Sequence, residues 1–250
     1  MVRRRPSPRR RRRRARRGAP HFPLVCAGLA LLLLVCLLAR PGPNPRRDPD
    51  ELKAILAALP EDLSPLRRAF VTQSVDLVGR VDYFWGGKPE HPGWDRRWGR
   101  AARVTSPGCE DTGRRMPYGL DCSGLVSWAA VTAAGDMDAY AAVGDGVREQ
   151  YALCAPICWE DAQPGDLLFF PDLSHVGIVV GEGADGALLA VHSSRSLGGV
   201  VLSHDAQETG FTLAGRPALF GASLPSKAPH PAGCGAFPCA FSTKCIPDFL

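Results

Sequence analysis

The chain lacks internal repeats, has no C-x-x-C pair, and contains only four lysines in 250 residues. Absent repeats argue against a solenoid or propeller. Without a C-x-x-C pair, and with the later cysteines separated irregularly by four, five and six residues, a zinc module is disfavoured. Scarce lysine beside abundant arginine, alanine, glycine and proline reflects GC-rich coding and carries no chemistry. Acidic residues are missing from the first 17 positions, which hold eleven arginines, so the net charge of +5 averages two unlike pieces. From residue 18 onward, the remaining 19 basic residues face all 25 acidic ones and give −6. A nucleic-acid-binding domain carries its positive charge on the folded surface, so no nucleic-acid partner is expected. At 45% apolar residues the chain is too hydrophobic for disorder, and its length exceeds that of a disulfide-only mini-protein.

After the arginine run, Phe22 to Ala39 supplies 18 residues without a charge. As a helix they would span roughly 27 Å, close to the hydrocarbon thickness of a bilayer. The arginines precede this run, so the positive-inside rule keeps the N-terminus in the cytoplasm and sends the C-terminal bulk outside. A cleaved signal peptide is the alternative, and it would leave a secreted protein. The small-x-small cleavage pattern is missing, because with Ala39 last before the cut the −3 position, which should be small, is Leu37. The expected organisation is a basic cytoplasmic tail at 1–20 and a transmembrane signal-anchor at 21–39. A linker with a short helix at 40–62, one α+β domain at 63–221 and a Pro/Cys-rich tail at 222–250 follow. The catalytic domain is expected outside the cytoplasm.

Seven cysteines lie beyond the apolar run: Cys109, Cys122, Cys154, Cys158, Cys234, Cys239 and Cys245. An odd count in an exported domain points to one free thiol. If that thiol is Cys122, six remain, enough for three disulfides. Helices are expected over Asp50–Leu59, after the N-cap Ser64 with Pro65 in the first position, and over Asp121–Val131. Strands are expected over Asp166–Phe170, His175–Val180, Ala187–His192 and Val200–Ser203.

Cys122 stands in Gly-Leu-Asp-Cys-Ser-Gly-Leu-Val, at the first turn of an expected helix. Amides and the dipole of a helix N-terminus stabilise a thiolate, while the neighbouring Asp121 opposes it. Taken alone, Cys122 reads more readily as a small buried apolar residue than as a nucleophile. The histidines change the balance. His175 to Val180 and Ala187 to His192 form a β-hairpin pattern. Pairing Val180 with Ala187 sets His175 directly opposite His192, with Cβ atoms about 5 Å apart. One histidine then serves as base for the thiol, and the other holds its ring and tautomer. Two histidines packing in a half-buried strand pair is the plainer alternative. A metal site built from both histidines and Cys122 lacks a carboxylate or second cysteine ligand, so no metal is expected.

Five ordered motifs carry a resemblance to a known family across about residues 70–221. They are Tyr83-Phe-Trp-Gly-Gly87, Asp121-Cys-Ser-Gly-Leu125, Pro164-Gly-Asp-Leu-Leu-Phe-Phe170, Ser174-His-Val-Gly-Ile178 and His192 in the third polar position. The chain resembles the NlpC family of cell-wall cysteine peptidases. The resemblance implies a papain-like α+β fold in which the helix bearing Cys122 packs on an antiparallel sheet. It implies Cys122 as nucleophile, His175 as general base and His192 as its orienting partner. It also implies that Tyr83, Trp85, Asp121 and Ser123 meet the substrate, and that no cofactor is needed. The implied substrate is a peptidoglycan stem peptide, cut after γ-linked D-glutamate.

Two features depart from that family's pattern. The 33 residues between Gly87 and Asp121 replace what is often a short turn, and serve either substrate selection or scaffolding. The Cys234/Cys239/Cys245 tail matches nothing. Other readings of the same residues are a thiol-dependent amidase, transpeptidase or acyltransferase, and a non-catalytic wall-binding module.

Overall fold

A computed structural model describes residues 47–221. The apolar run at 21–39 and the cysteine tail at 222–250 lie outside the described residues. Among the described residues, no helix is long and apolar enough to cross a membrane.

The helices start where short polar side chains can hold their first amides. Asp48 accepts from the N–H groups of Asp50 and Glu51 and opens α1 (Pro49–Ala57). Ser64 accepts from Arg67 N–H and opens α2 (Pro65–Asp76), with proline in the tolerated first position. A two-stranded hairpin follows, β1 (Ala101–Arg103) with β2 (Arg115–Pro117), both inside the 33-residue insertion. Asp121 then caps α3 (Cys122–Ala134), accepting from Gly124 N–H at 2.6 Å. From Leu125 to Val131 α3 is buried on every side, as its lack of a polar stripe requires. Two short helices, α4 (Ala139–Val143) and α5 (Val147–Ala152), lead into the sheet.

The sheet has six antiparallel strands. In spatial order they are β3 (Cys154–Ile157), β8 (Leu213–Pro217), β4 (Leu167–Phe169), β5 (Val176–Glu182), β6 (Leu188–Ser194) and β7 (Gly199–Ser203). A single turn, α6 (Ala206–Thr209), links β7 to β8. Leu167, Phe169, Ile178 and Val191 face the main core, which holds α2 and α3. Leu168, Val179 and Ala190 face a smaller cluster around Phe211 on the opposite side. A strand covered on both faces reads as an unbroken apolar run, which is why Leu167–Phe169 shows no alternation. Leu52, Ile55 and Leu59 of the α1 region join the main core. The architecture is α+β, with the Cys122 helix packed on an antiparallel sheet.

Asp166 lies fully buried at the entry to β4. Arg67 of α2 reaches it at 2.9 Å, and Arg216 of β8 holds it through two nitrogens at 3.1 and 2.9 Å. One carboxylate thus fastens a helix to two strands. Removing one partner of such a group leaves unpaired buried charge, so Asp166→Ala is expected to destabilise by about 3–5 kcal/mol. Denaturant midpoints at constant m-value would measure it; an unchanged midpoint would deny the carboxylate this role.

Two sequence-based expectations need correcting. Residues Cys109 and Cys154 are free thiols beside Cys122, so the expectation of a single free thiol does not hold, while Cys158 is disulfide-bonded. Cys154 is spent on packing over the backbone of Gly215, and the Cys109 sulfur lies 3.8 Å from a carboxylate oxygen of Asp111. The hairpin register is also shifted. Ile178 pairs with Val191 and Val179 with Ala190, and an irregularity follows before Gly181 meets Leu189. The bulge absorbs one residue at Val180 and shifts the remaining pairing. Extending the register puts His192 across from Gly177, with His175 its diagonal neighbour.

Candidate active site

Cys122 occupies the first position of α3 and is 5% exposed. Its location is imposed by the segment before it. Phe84 N–H donates to Leu120 O, Asp121 N–H donates to Gly87 O, and Leu120 N–H donates to Asp82 O. Ser193 of β6 adds its hydroxyl to the same Leu120 carbonyl at 2.7 Å. The Tyr-Phe-Trp-Gly-Gly segment is thereby sewn alongside the helix start and tied to the sheet.

The shifted hairpin register brings the histidines together. Gly177 has no side chain, so the ring of Phe211 and the Cβ of His192 fill the space beside it. His175 Nε2 and His192 Nδ1 stand 2.7 Å apart, and His192 Nε2 lies 2.8 Å from the Ser203 hydroxyl. With Ser203 as acceptor, His192 Nε2–H donates to it. His192 Nδ1 then accepts from His175 Nε2–H, and His175 Nδ1 carries the lone pair. The chain couples the two tautomers: reversing the Ser203 hydroxyl to a donor would reverse every proton along it and place the proton on His175 Nδ1. Phe170 and Phe211 pack against the His175 ring, with centroids 5.0 and 5.6 Å away.

Cys122 and both histidines line one cleft of about 970 Å³, together with Tyr83, Asp111, Arg114 and Arg195. Cys122 also lines a second cleft of about 580 Å³, with Trp85, Lys88, Asp121 and Ser123. Of the residues expected to meet substrate, Tyr83 thus falls in the first cleft and the other three in the second. Asp121 is heavily engaged. Besides Gly124 N–H it accepts from Gly86 N–H at 3.1 Å, Ser123 Oγ at 3.0 Å and Lys88 Nζ at 3.1 Å. Trp85 donates its indole N–H to Pro107 O at 2.9 Å.

Burial governs the protonation states. It pushes the Cys122 thiol up to about 11, and Asp121 adds to the rise. Lys88 and the N–H groups of Val176 and Ser123 pull in the other direction. Burial also lowers His175 to about 4 and, together with His175 itself, lowers His192 to about 3. Thiol and imidazole are therefore both neutral at pH 7, with no preformed thiolate–imidazolium pair, and burial of both groups opposes charge separation between them. The Tyr83 phenol is raised by burial and stays a neutral donor. No three His, Cys, Asp or Glu side chains are grouped to hold a metal among the described residues.

The insertion has two parts. Trp94, Trp98 and Trp128 form an edge-to-face ladder with centroids 4.8 and 5.5 Å apart, docking the loop on α3. Beyond that dock, Asp111 and Arg114 reach the wall of the larger cleft.

The sequence model described as the NlpC/P60 family matches residues 80–206, just over half of the chain. The chain belongs to the NlpC/P60 family. The matched span includes Tyr83, Cys122, His175, His192 and Ser203. This NlpC/P60 chain is 37% identical over 110 residues to a probable endopeptidase of Mycobacterium tuberculosis, covering 43% of the chain and 26% of the relative. A probable endopeptidase of Corynebacterium glutamicum is 34% identical over 90 residues, covering 34% and 37%. The match thus spans between about a quarter and two fifths of those relatives' length. Among solved structures, the peptidoglycan hydrolase RipB of M. tuberculosis is 21% identical with a TM-score of 0.43, over 80% of this chain and 92% of that one. RipD of the same organism, described as a non-catalytic NlpC/p60 domain protein adapted to peptidoglycan binding, is 18% identical with a TM-score of 0.43. Its match covers 62% of this chain and 98% of that one.

Three residues of this NlpC/P60 site escape a reading of the sequence alone. Ser203 is visible only once β6 and β7 are registered, with His192 opposite Val201 and Ser203 two residues on, on the same face. Lys88 and Asp111 depend on how the insertion folds back.

Proposed function

We propose that the protein is an extracytoplasmic cysteine peptidase that hydrolyses peptidoglycan stem peptides after γ-linked D-glutamate. The observation that carries this reading is the His175–His192–Ser203 chain lining the same cleft as a cysteine at a helix N-terminus. In this reading His175 Nδ1 takes the Cys122 proton as the sulfur attacks the γ-carbonyl carbon. Backbone N–H groups at the start of α3 receive the oxyanion. The intermediate collapses with loss of the C–N bond, and His175 returns the proton to the departing amine. A water, deprotonated by His175, then attacks the thioester carbon, which releases the carboxylic acid and restores the thiol. With Ser203 accepting from His192, these two residues keep the His175 lone pair on Nδ1 in the resting enzyme. The apolar run at 21–39 anchors the enzyme in the membrane, with its catalytic part on the outer side.

Incubating purified muropeptides with the full chain and resolving the products by mass spectrometry tests the assignment. The expected result is a fragment pair split after γ-D-glutamate, absent with Cys122→Ala. Intact muropeptides beside a thiol probe that labels Cys122 would overturn this substrate, and products persisting in Cys122→Ala would overturn this nucleophile. A new amide or ester product, formed only with an added acceptor, would point to acyl transfer.

Ser203→Ala removes an acceptor, leaving His192 free to turn over its tautomer. It is expected to lower kcat about 10-fold with KM little changed, the size of one supporting hydrogen bond. A change in KM alone would place Ser203 in substrate binding instead.

A further inference from the structure

We propose that residues 222–250 fold back over an apolar groove bounded by α1 and the β5–β6 pair, stapled there by a disulfide from Cys158 to a cysteine of that segment. Neither the groove nor the staple depends on the reaction proposed above. Cys158 is disulfide-bonded, whereas Cys109, Cys122 and Cys154 are free thiols, so its partner lies outside the described residues. Cys26 and Cys36 belong to the apolar run read as a membrane anchor, which leaves Cys234, Cys239 and Cys245. With Cys158 these make an even set, which disulfides can use up completely. Each bridge forms as two thiols give up two protons and two electrons to a disulfide oxidant, which becomes a dithiol, as in an oxidising extracytoplasmic compartment.

The groove holds about 460 Å³ and is lined by Ala54, Ile55 and Leu59 of the α1 region and by Val180, Leu188 and Leu189 of the sheet. Glu182 is the one charged residue in its lining, so it lacks the converging polar groups of a small-molecule site. Its size suits a few side chains rather than the broad face of a stable contact with a free partner. A covalently tethered segment escapes that limit, because its second contact is intramolecular. Both tethers of residues 222–250 stand at the groove's edge. At the first, Phe220, with the Arg67 guanidinium 4.5 Å from its ring centre, lines a neighbouring cleft that shares Pro60 and Pro164 with the groove. At the second, Cys158 opens the short turn Trp159–Asp161, and Ala162, next in the chain, lines the groove itself. The chain from Gly221 to Cys234 reaches up to roughly 45 Å when extended, ample to cross it. Phe237, Phe241 and Ile246, set among the three cysteines, supply the apolar side chains, and Lys227 and Lys244 complement Glu182.

The test uses the full chain, produced in an oxidising compartment, with free thiols blocked before digestion. Non-reducing peptide mapping is expected to join the Cys158 peptide to one containing Cys234, Cys239 or Cys245. A Cys158 that takes the blocking reagent, or a bond to Cys26, to Cys36 or to a second copy, would overturn the staple. Docking is read by trypsin, whose cleavage tracks the population in which the segment has let go. Cleavage after Lys244 is expected to be about 10-fold slower in the parent chain than in Cys158→Ser. Ala58→Glu, which puts a charge on the groove's exposed rim, is expected to speed it by a similar factor with the disulfide intact. Ala54→Glu repeats the reading at a second exposed rim position, so that misfolding of one variant does not decide the matter. Equal rates in all four chains would overturn the docked segment even with the bond to Cys158 in place. A dimer of the parent chain that Ala58→Glu dissociates would give the groove to a second copy, and would overturn it too.

Discussion

Gly124→Ala is expected to cost at least about 3 kcal/mol, the upper end of overpacking penalties, and to disable the site with it. A methyl group at this position would stand 1.9 Å from the carbonyl oxygen of Gly87 and 3.2 Å from an Asp121 carboxylate oxygen. Neither neighbour can retreat. Gly87 is fixed by its own N–H to Phe84 O and by Asp121 N–H to its carbonyl, at 2.9 and 3.2 Å. Asp121 is committed to the helix cap and to Lys88. The Gly-Gly segment and the first turn of α3 therefore touch through backbone alone, and only a residue without Cβ permits it. For a domain of this size the loss would lower Tm by roughly 6–12 °C. A thermal melt of the purified variant measures it. An unchanged Tm would mean that the two segments do not touch as described.

His175→Ala is expected to lower kcat/KM by about 10²–10⁴-fold, the contribution of a positioned base. The pH profile separates a base from a merely packed ring. Since burial holds the thiol near 11 and His175 near 4, the resting pair is neutral at pH 7. The proposed mechanism requires neutral His175, so the acid limb of kcat/KM is expected to fall as pH drops through about 4. Alkylation of Cys122 by iodoacetamide should rise with pH toward 11. A preformed ion pair would instead give alkylation already at a plateau by pH 5, and that result would contradict the account.

The same histidines link stability to pH. Both have folded values below the ordinary 6.5, so between pH 6.5 and 4 the unfolded chain takes up protons that the folded chain refuses. Stability is fully present above 6.5 and falls as pH falls through this window, by on the order of 3 kcal/mol for His175.

What the residues alone disclose follows how local each feature is. The starts of α2 and α3 are legible because Ser64-Pro65 and Asp121 supply caps within three residues of the amides they satisfy. Strands β4 to β7 are legible as apolar runs bounded by turns. Strands β3 and β8 are not, because Pro156, Gly215 and Pro217 interrupt any alternation and the strands exist through pairing with each other and with β4. The Cys122–His175–His192 grouping emerges from ordered motifs, although the histidines' register does not. A turn-based count cannot foresee the bulge at Val180, yet a diagonal placement still lets two imidazoles meet. Ser203 and the Asp111–Arg195 contact bridge distant segments, so nothing in their immediate sequence marks them.

The central claim is a covalent intermediate on Cys122. An activated γ-D-glutamyl ester, mixed with the full chain and quenched in acid within the first turnover, should leave one acyl group on the protein by intact mass. Peptide mapping should place that group on Cys122 as a thioester, and Cys122→Ser should lose it or carry it as a slowly cleared ester. Turnover of the ester without any adduct, unaffected by substitution of Cys122, would contradict the account.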